Sequence, residues 1–381
     1  MTFKILSLDG GGIRGVLSAT ILKEVETTIR EKKGQELHEY FDLIAGTSTG
    51  SILAASIACQ LKAEEMISLY LNEGKNIFLE SVRCQRKWRL LGRFFGSQVL
   101  YPHECGERGL VNVLKKYLIH PGLGKSPTIA EIKKPQLLLL AYDVLSRNTT
   151  WFANDDPTEW YYKNNLELWK ICTASASAPT FFPPYNVPYN SEDFLPHIDG
   201  GVAANNPELA AIAHALSMEK NGKLNAKIDE IAVLSIGTGK TTNPYTYDQI
   251  KNWGLLEWVT NIPNIFLDPP AENSEYISRR ILMGISNQNY LRLDFDLNER
   301  FEETRQPGKL RKLLKKPYNK YIYQKTHKIE KINEDIDNPD NSPKLKEAAE
   351  CYLDYGEIIN YPCKGKKVPV RCAIQKFIEC H

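Results

Sequence analysis

A central, mostly parallel β-sheet with helices on both faces is the architecture predicted by three observations. Short apolar runs of strand length alternate with stretches of helical periodicity along the first 240 residues. Two strand-to-helix junctions carry glycine clusters, LSLDGGGIRG and IAGTSTGS. The 381-residue chain is 42% hydrophobic and 25% charged, long enough for one large domain or for a domain plus a smaller appendage.

The elements follow in order. FKILSL is the first strand. Leu17, Ile21, Val25 and Ile29 then recur every four residues, one face of a helix. EYFDLIAG is a second strand and TGSILAASIACQL a second, buried helix. PQLLLLAYDV and TTWFAN read as a hairpin around Ser146–Asn148. DFLPHIDG and EIAVLSIGTG are later strands, with the helical stretch ELAAIAHALSM between them.

Beyond about residue 300 the character changes. Thr304 to Ile329 contains no acidic residue, while Arg305, Lys309, Arg311, Lys312, Lys315, Lys316, Lys320, Lys325 and Lys328 are basic. A polar connector, NEDIDNPDNSPK, leads to a helical segment, LKEAAECYLDYGEII, and a basic, cysteine-bearing end. The expected division is a domain over 1–300 and a basic C-terminal accessory region over 301–381.

Composition narrows the setting. A net charge of +2 singles out no partner, and no recognised nucleic-acid module accompanies the basic stretches, so no nucleic-acid partner is expected. No run approaches the roughly 18 apolar residues of a membrane span, and FKILSL reads as a buried strand rather than a leader. Eight cysteines without a C-x-x-C pair predict reduced thiols and a cytoplasmic chain. Cys351, Cys363, Cys372 and Cys380, beside His381, are spaced too widely for a zinc knuckle or ribbon, and read as packing residues. No cofactor or metal is expected.

Three motifs carry chemistry. Gly46-Thr47-Ser48-Thr49-Gly50 is a G-x-S-x-G elbow between apolar FDLIA and apolar SILAASIA. Such a turn pushes the Ser48 hydroxyl out at the end of a strand, facing the positive end of the next helix. A serine hydroxyl needs a base, and Asp199, in His197-Ile198-Asp199-Gly200-Gly201, is delivered by the end of another strand. At its ordinary pKa of about 4 the carboxylate is a poor base, so the site must be dry enough to raise it. The opening loop, Asp9 to Gly15, matches the G-x-G-x-x-G of dinucleotide sites, but the interval where a ribose-binding acid belongs falls in IREKKGQELHEY, a helix end and loop. Bare backbone N–H groups for an oxyanion are the better use of its three consecutive glycines.

Asp9-Gly10-Gly11-Gly12-Ile13-Arg14-Gly15, the Ser48 elbow and Asp199-Gly200-Gly201, in that order, resemble the patatin-like phospholipases, a family of lipid acyl hydrolases. Ala174-Ser175-Ala176-Ser177-Ala178-Pro179, continuing to Pro184, is similar to the family's A-S-x-x-x-P segment. The similarity runs from about residue 3 to 240. It implies a Ser48–Asp199 dyad on a patatin-like α/β sheet, with the oxyanion held by the N–H groups of Gly10, Gly11 and Gly12, joined by Thr49. Gly46, Gly50 and Gly200 support that geometry. Arg14 either braces the glycine loop or meets a lipid phosphate. The substrate implied is a carboxylic ester of a membrane glycerolipid, cleaved at a bilayer surface without a metal.

Three other readings compete. A Ser-His-Asp esterase would by the usual chain order draw its histidine from His214, His327 or His381, none of which lies in a recognisable loop signature, while His197 lies about 6–7 Å from Asp199 along the same strand face. A weakly catalytic storage or interaction protein would keep the same fold, and a dinucleotide-dependent oxidoreductase lacks its ribose acid. SIGTGKTT resembles a P-loop ending, but Leu234 stands where glycine is required. Arg83, Arg86, Lys87, Arg89 and Arg93 interleaved with Trp88, Leu90, Leu91, Phe94 and Phe95 suit transient membrane contact or, equally, a solvated loop beside an aromatic core. The abrupt charge change after residue 300 motivates the expectation that the C-terminal region gates the site or binds an activating ligand.

Overall fold

The computed structural model describes residues 2–91, 99–220, 223–224, 226–240, 246–297, 332 and 335–381, without the side chains of 87–91, 219–220, 223–224, 255–256 and 259–268. The basic run from Thr304 to Ile329, His327, Arg93, Phe94 and Phe95 lie outside the described residues, as do the side chains of Lys87, Trp88, Arg89, Leu90 and Leu91.

Eight strands form one mixed sheet among the described residues. They are β1 (Phe3–Leu8), β2 (Leu43–Thr47), β3 (Gln136–Asp143), β4 (Asn148–Ala153), β5 (Tyr185–Pro188), β6 (Phe194–Asp199), β7 (Ile231–Ile236) and β8 (Tyr290–Leu293). The spatial order is β8-β7-β1-β2-β3-β6-β5, with β4 also paired to β3. β8, β7, β1, β2 and β3 run parallel to one another, while β4 and β6 are antiparallel to β3. The expected hairpin of β3 and β4 is present.

Successive residues of the central strands feed opposite faces. Leu6, Leu8, Ile44, Leu137, Leu139 and Leu234 enter one core, and Ile5, Leu43, Ala45, Leu138, Leu140 and Val233 the other. Burial on both faces explains why these runs are apolar throughout. On the first face lie α1 (Gly15–Lys33), α2 (Thr49–Ala58), α3 (Ala63–Ile77), α4 (Glu80–Leu91), α5 (Leu110–Tyr117) and α6 (Leu168–Ser175). The short α7 (Gly201–Ala204), α8 (Glu208–Ser217) and the long α9 (Leu255–Ile285) follow in sequence, with Ala211, Ile212, Ala215 and Leu282 packing on the second face. Leu17, Ile21, Val25 and Ile29 of α1 are all fully buried, and the helix stops at Gly34, whose left-handed φ of 67° closes its C-terminus.

Two element boundaries differ from expectation. Glu39 and Tyr40, read as strand, belong to a helical turn, Leu37–Tyr40, closed by a capping box between Glu36 and Glu39. The helix expected over LKEAAECYLDYGEII ends at Tyr355, and GEII enters a separate two-stranded ribbon.

Helices α10 (Ser342–Tyr355) and α11 (Val370–Cys380) flank that ribbon, whose strands are β9 (Glu357–Ile359) and β10 (Lys367–Pro369). Tyr352, Leu353, Ile374 and Phe377 are buried in the same core as Leu17 and Ile21 of α1, and the Tyr352 ring stacks on Phe295 at 4.4 Å. Cys351 is half-buried here. Cys363, Cys372 and Cys380 are exposed free thiols, so the packing role expected for them does not hold.

Candidate active site

The register of β3 brings Ser48 and Asp199 together. β4 occupies one edge of β3, leaving β2 and β6 to share the other. β2 runs parallel until Thr47 pairs with Leu140, and β6 arrives antiparallel with Asp199 opposite the next residue, Ala141. The two strands therefore meet head-on, and their terminal residues face each other.

The Ser48 turn is strained in the manner of a nucleophile elbow, with φ 54° and ψ −121°. A methyl group on Gly50 would overlap the Leu8 carbonyl and one on Gly46 the Gly50 carbonyl, so the turn closes only with glycine at both positions. Ser48 Oγ donates to Asp199 Oδ2 at 2.6 Å. The other carboxylate oxygen accepts from Gly201 N–H at 2.7 Å. Both side chains are buried, at 7% exposure for Ser48 and 6% for Asp199. Burial pushes the Asp199 carboxyl up to about 6, against the two hydrogen bonds that favour its ionised form. A carboxylate in that range can take the proton of a hydroxyl already donated to it.

The block from Ala174 to Pro184 clamps both partners. Ser48 N–H donates to Ser175 Oγ at 2.9 Å, Gly200 N–H to the Ser175 carbonyl at 3.2 Å, and Asp199 N–H to the Ser177 carbonyl at 3.0 Å. Ser177 Oγ donates to the Thr173 carbonyl, so His103 Nε2, 2.9 Å away, must be the donor to that same hydroxyl. Burial depresses the His103 pKa to about 4, leaving a neutral ring stacked on Phe182.

The glycine loop faces the elbow, with the Cα of Gly10 turned toward Ser48 Cβ. Gly10 N–H, expected among the oxyanion donors, is taken up by the Asn205 carbonyl at 3.0 Å. The N–H groups of Gly11, Gly12 and Thr49 donate to no group among the described residues, and Thr49 opens the first turn of α2, where amides have no partner within the helix. The Thr49 hydroxyl is bonded to the Tyr70 hydroxyl. Arg14 Nη1 donates to the Gly239 carbonyl at 3.2 Å, which favours the bracing role over contact with a phosphate.

Beneath the loop lies a buried ion pair that the sequence did not disclose. Arg292 of β8 grips Asp9 with both terminal nitrogens, at 2.9 and 2.5 Å, and also meets Asp294 at 3.1 Å and Ser235 Oγ at 2.7 Å. Burial raises the Asp9 carboxyl to about 7, opposed by Arg292. A charged residue inside the apolar run YLRLDF was the available signal, but its partner is 283 positions away.

The histidines make other contacts. His197 is fully buried; its Nδ1 donates to the Leu195 carbonyl at 2.9 Å, so Nε2 accepts from Thr150 Oγ1 at 2.8 Å. His214 pairs with Asp155 and His381 with the Gln288 carbonyl. Arg83 and Arg86, read as candidates for membrane contact, point inward: Arg86 lies over the rings of Tyr101 and Phe181 and bonds the Val99 and Thr180 carbonyls, while Arg83 binds Asn338 and Asp340. Among the described residues no helix is long and apolar enough to cross a membrane, and no group of three or more His, Cys, Asp or Glu could hold a metal.

Comparison with known proteins gives the family of the chain. The family model described as patatin-like phospholipase matches residues 6–212, a span that holds the glycine loop, Ser48 and Asp199 and ends before Arg292. Patatin-like protein 3 of Arabidopsis thaliana is 30% identical over 339 residues, covering 77% of this chain and 73% of that protein. Patatin-like protein 1 of the same plant is 30% identical over 328 residues, covering 77% and 75%. A Solanum tuberosum protein named probable inactive patatin-3-Kuras 1 is 26% identical over 312 residues, covering 76% and 77%.

Proposed function

The chain belongs to the patatin-like phospholipase family, which supports lipid acyl hydrolase activity in general, and on that premise we propose that it is a phospholipase A-type hydrolase working through a Ser48–Asp199 dyad. The observation that carries this reading is the 2.6 Å hydrogen bond from Ser48 Oγ to a buried carboxylate with a raised pKa.

Asp199 takes the Ser48 proton as Oγ attacks the ester carbonyl of a membrane glycerolipid. The carbonyl oxygen becomes an oxyanion facing the N–H groups of Gly11, Gly12 and Thr49, which donate to no described residue; a donor of this kind is worth about 3–4 kcal/mol in the transition state. Collapse breaks the acyl C–O bond, and the proton on Asp199 passes to the departing lyso-lipid oxygen. Water then gives its proton to Asp199 and attacks the acyl-serine, and the fatty acid leaves as the proton returns to Ser48. Amides supply the oxyanion stabilisation, so no step calls for a metal or cofactor. The substrate is met at a bilayer surface by a cytoplasmic protein that associates with it transiently. Regulation through an activating ligand at the C-terminal accessory region is part of this proposal, with Thr304 to Ile329 as its basic component.

The covalent step has a direct test. An activated ester substrate, quenched in acid within the first turnovers, should leave acyl mass on the peptide containing Ser48, and Ser48→Ala should leave none. Acylation of another residue would remove the dyad reading.

A further inference from the structure

We propose that residues 336–340 form a positioning strap that holds the oxyanion-binding amides of the glycine loop in place, with Asp337 as its anchoring residue; this rests on the hydrolase reading above. The first half of the loop is tied down by the end of β7 and by Asn205, just past α7. Asp9 N–H donates to the Ile236 carbonyl, Gly10 N–H to Asn205, and Thr238 Oγ1 to the Gly10 carbonyl. Among the described residues the second half, which carries Gly11 and Gly12, makes one backbone–backbone hydrogen bond to a segment outside the loop, beside the Arg14 side-chain bond to the Gly239 carbonyl. Ile13 N–H donates to the Ile336 carbonyl at 2.8 Å. Ile336 lies so close that a methyl group on Gly12, itself at φ 57°, would overlap that carbonyl oxygen.

The strap is fastened just after this contact. Tyr101 Oη donates to Asp337 Oδ2 at 2.8 Å, and Arg86 Nε lies 3.7 Å from the same oxygen. Burial and the neighbouring Asp337 raise the Tyr101 pKa, so the phenol stays a donor across the working pH range. Arg83 binds Asn338 and Asp340, and Pro339 is buried against Gly74 of α3. Lys75 pairs with Asp340 at 2.9 Å, but this exposed pair adds little. The Asp337 end is sheltered, at 15% side-chain exposure, and sits one residue from the carbonyl that meets the loop. A displacement of about 1 Å at a catalytic group costs on the order of a hundredfold in rate. Loosening the strap should therefore appear in kcat, while the acyl-chain binding that sets KM is left in place.

The test compares full-length wild type, Asp337→Ala, Asp337→Asn, Tyr101→Phe and the Asp337→Ala/Tyr101→Phe double variant, each checked for folding by circular dichroism. Two rates are read: kcat and KM for fatty-acid release from phosphatidylcholine vesicles, and the second-order rate of Ser48 labelling by a fluorophosphonate. The expected result is a fall of about tenfold to a hundredfold in kcat and in labelling for Asp337→Ala, with KM within twofold. Asp337→Asn, which keeps an acceptor for Tyr101, should recover part of the loss. Tyr101→Phe should fall in the same direction, and the double variant should fall no further than Asp337→Ala. Tyr101→Phe removes one hydroxyl and leaves its ring in place, so it remains informative if Asp337→Ala does not fold. Folded variants with kcat and labelling within twofold of wild type, or with a change confined to KM, would overturn the strap. A wild type that neither labels at Ser48 nor releases fatty acid would instead overturn the hydrolase reading on which the strap rests.

Discussion

Asp199 accepts the Ser48 hydroxyl proton directly, at 2.6 Å, and no histidine stands between them among the described residues. Two strands sharing one edge of β3 produce this contact, so the pair is set by sheet register rather than by a loop. Its second feature is dryness, since burial moves the carboxyl up to about 6.

Activity should fall as pH drops through that value. Asp199 must be ionised to act as base, so kcat/KM should show an acid limb with an apparent pKa near 6. A profile flat from pH 7 down to pH 5 would mean that another group limits the reaction.

The same shift predicts a stability cost. A carboxyl raised from about 3.9 in the unfolded chain to about 6 in the folded one favours the folded state most below pH 4, and that contribution is lost as pH rises toward 6. Asp199→Asn cannot ionise, so its advantage over wild type should widen by about 1 kcal/mol between pH 5 and pH 7.5. Urea unfolding at the two pH values measures this, and a gap that narrows would reverse the sign.

Replacing histidines should leave the chemistry intact. His197→Gln and His214→Gln remove contacts to Thr150 and Asp155, not to Ser48. Folded variants should keep kcat within about threefold of wild type, whereas loss of a general base costs about 100-fold or more. A loss of that size at either position would restore the triad reading.

Arg292→Met should destabilise the protein by about 3–5 kcal/mol, because Asp9 and Asp294 would be left buried without their shared cation. Adding Asp9→Asn should recover part of the loss. Denaturant melts of the single and double variants decide this, and a cost under about 1 kcal/mol would contradict the account of the pair.

How much of this could be read in advance follows from sequence distance. β1, α1 and the Ser48 elbow were legible because each is a local pattern: an apolar run, a four-residue repeat, glycines two positions either side of a serine. Asp199 was legible as an acid at a strand end beside two glycines. The parts that hold these residues were not. Ser175 and Ser177 lie inside the A-S-x-x-x-P segment, yet only folding shows that their backbone and hydroxyl groups clamp both partners. Arg292 and Ile336 reach the N-terminal loop from the C-terminal part of the sequence, and no local rule connects them to it. The Gly10 amide looked like its neighbours until Asn205 proved to occupy it. Gly356 was the available sign that α10 would end, since helices commonly stop at glycine. The described C-terminal helices share the core of α1, so a truncation after about residue 300 would open that core.

The measurement that tests the central claim most directly is fatty-acid release from mixed phospholipid and galactolipid vesicles in excess chelator, by wild type, Ser48→Ala and Asp199→Asn, each confirmed folded. The account predicts release by wild type that chelator does not diminish, and loss of at least about a thousandfold in both variants. Release that persists in folded Asp199→Asn, or that chelator abolishes in wild type, would contradict a metal-free Ser48–Asp199 dyad.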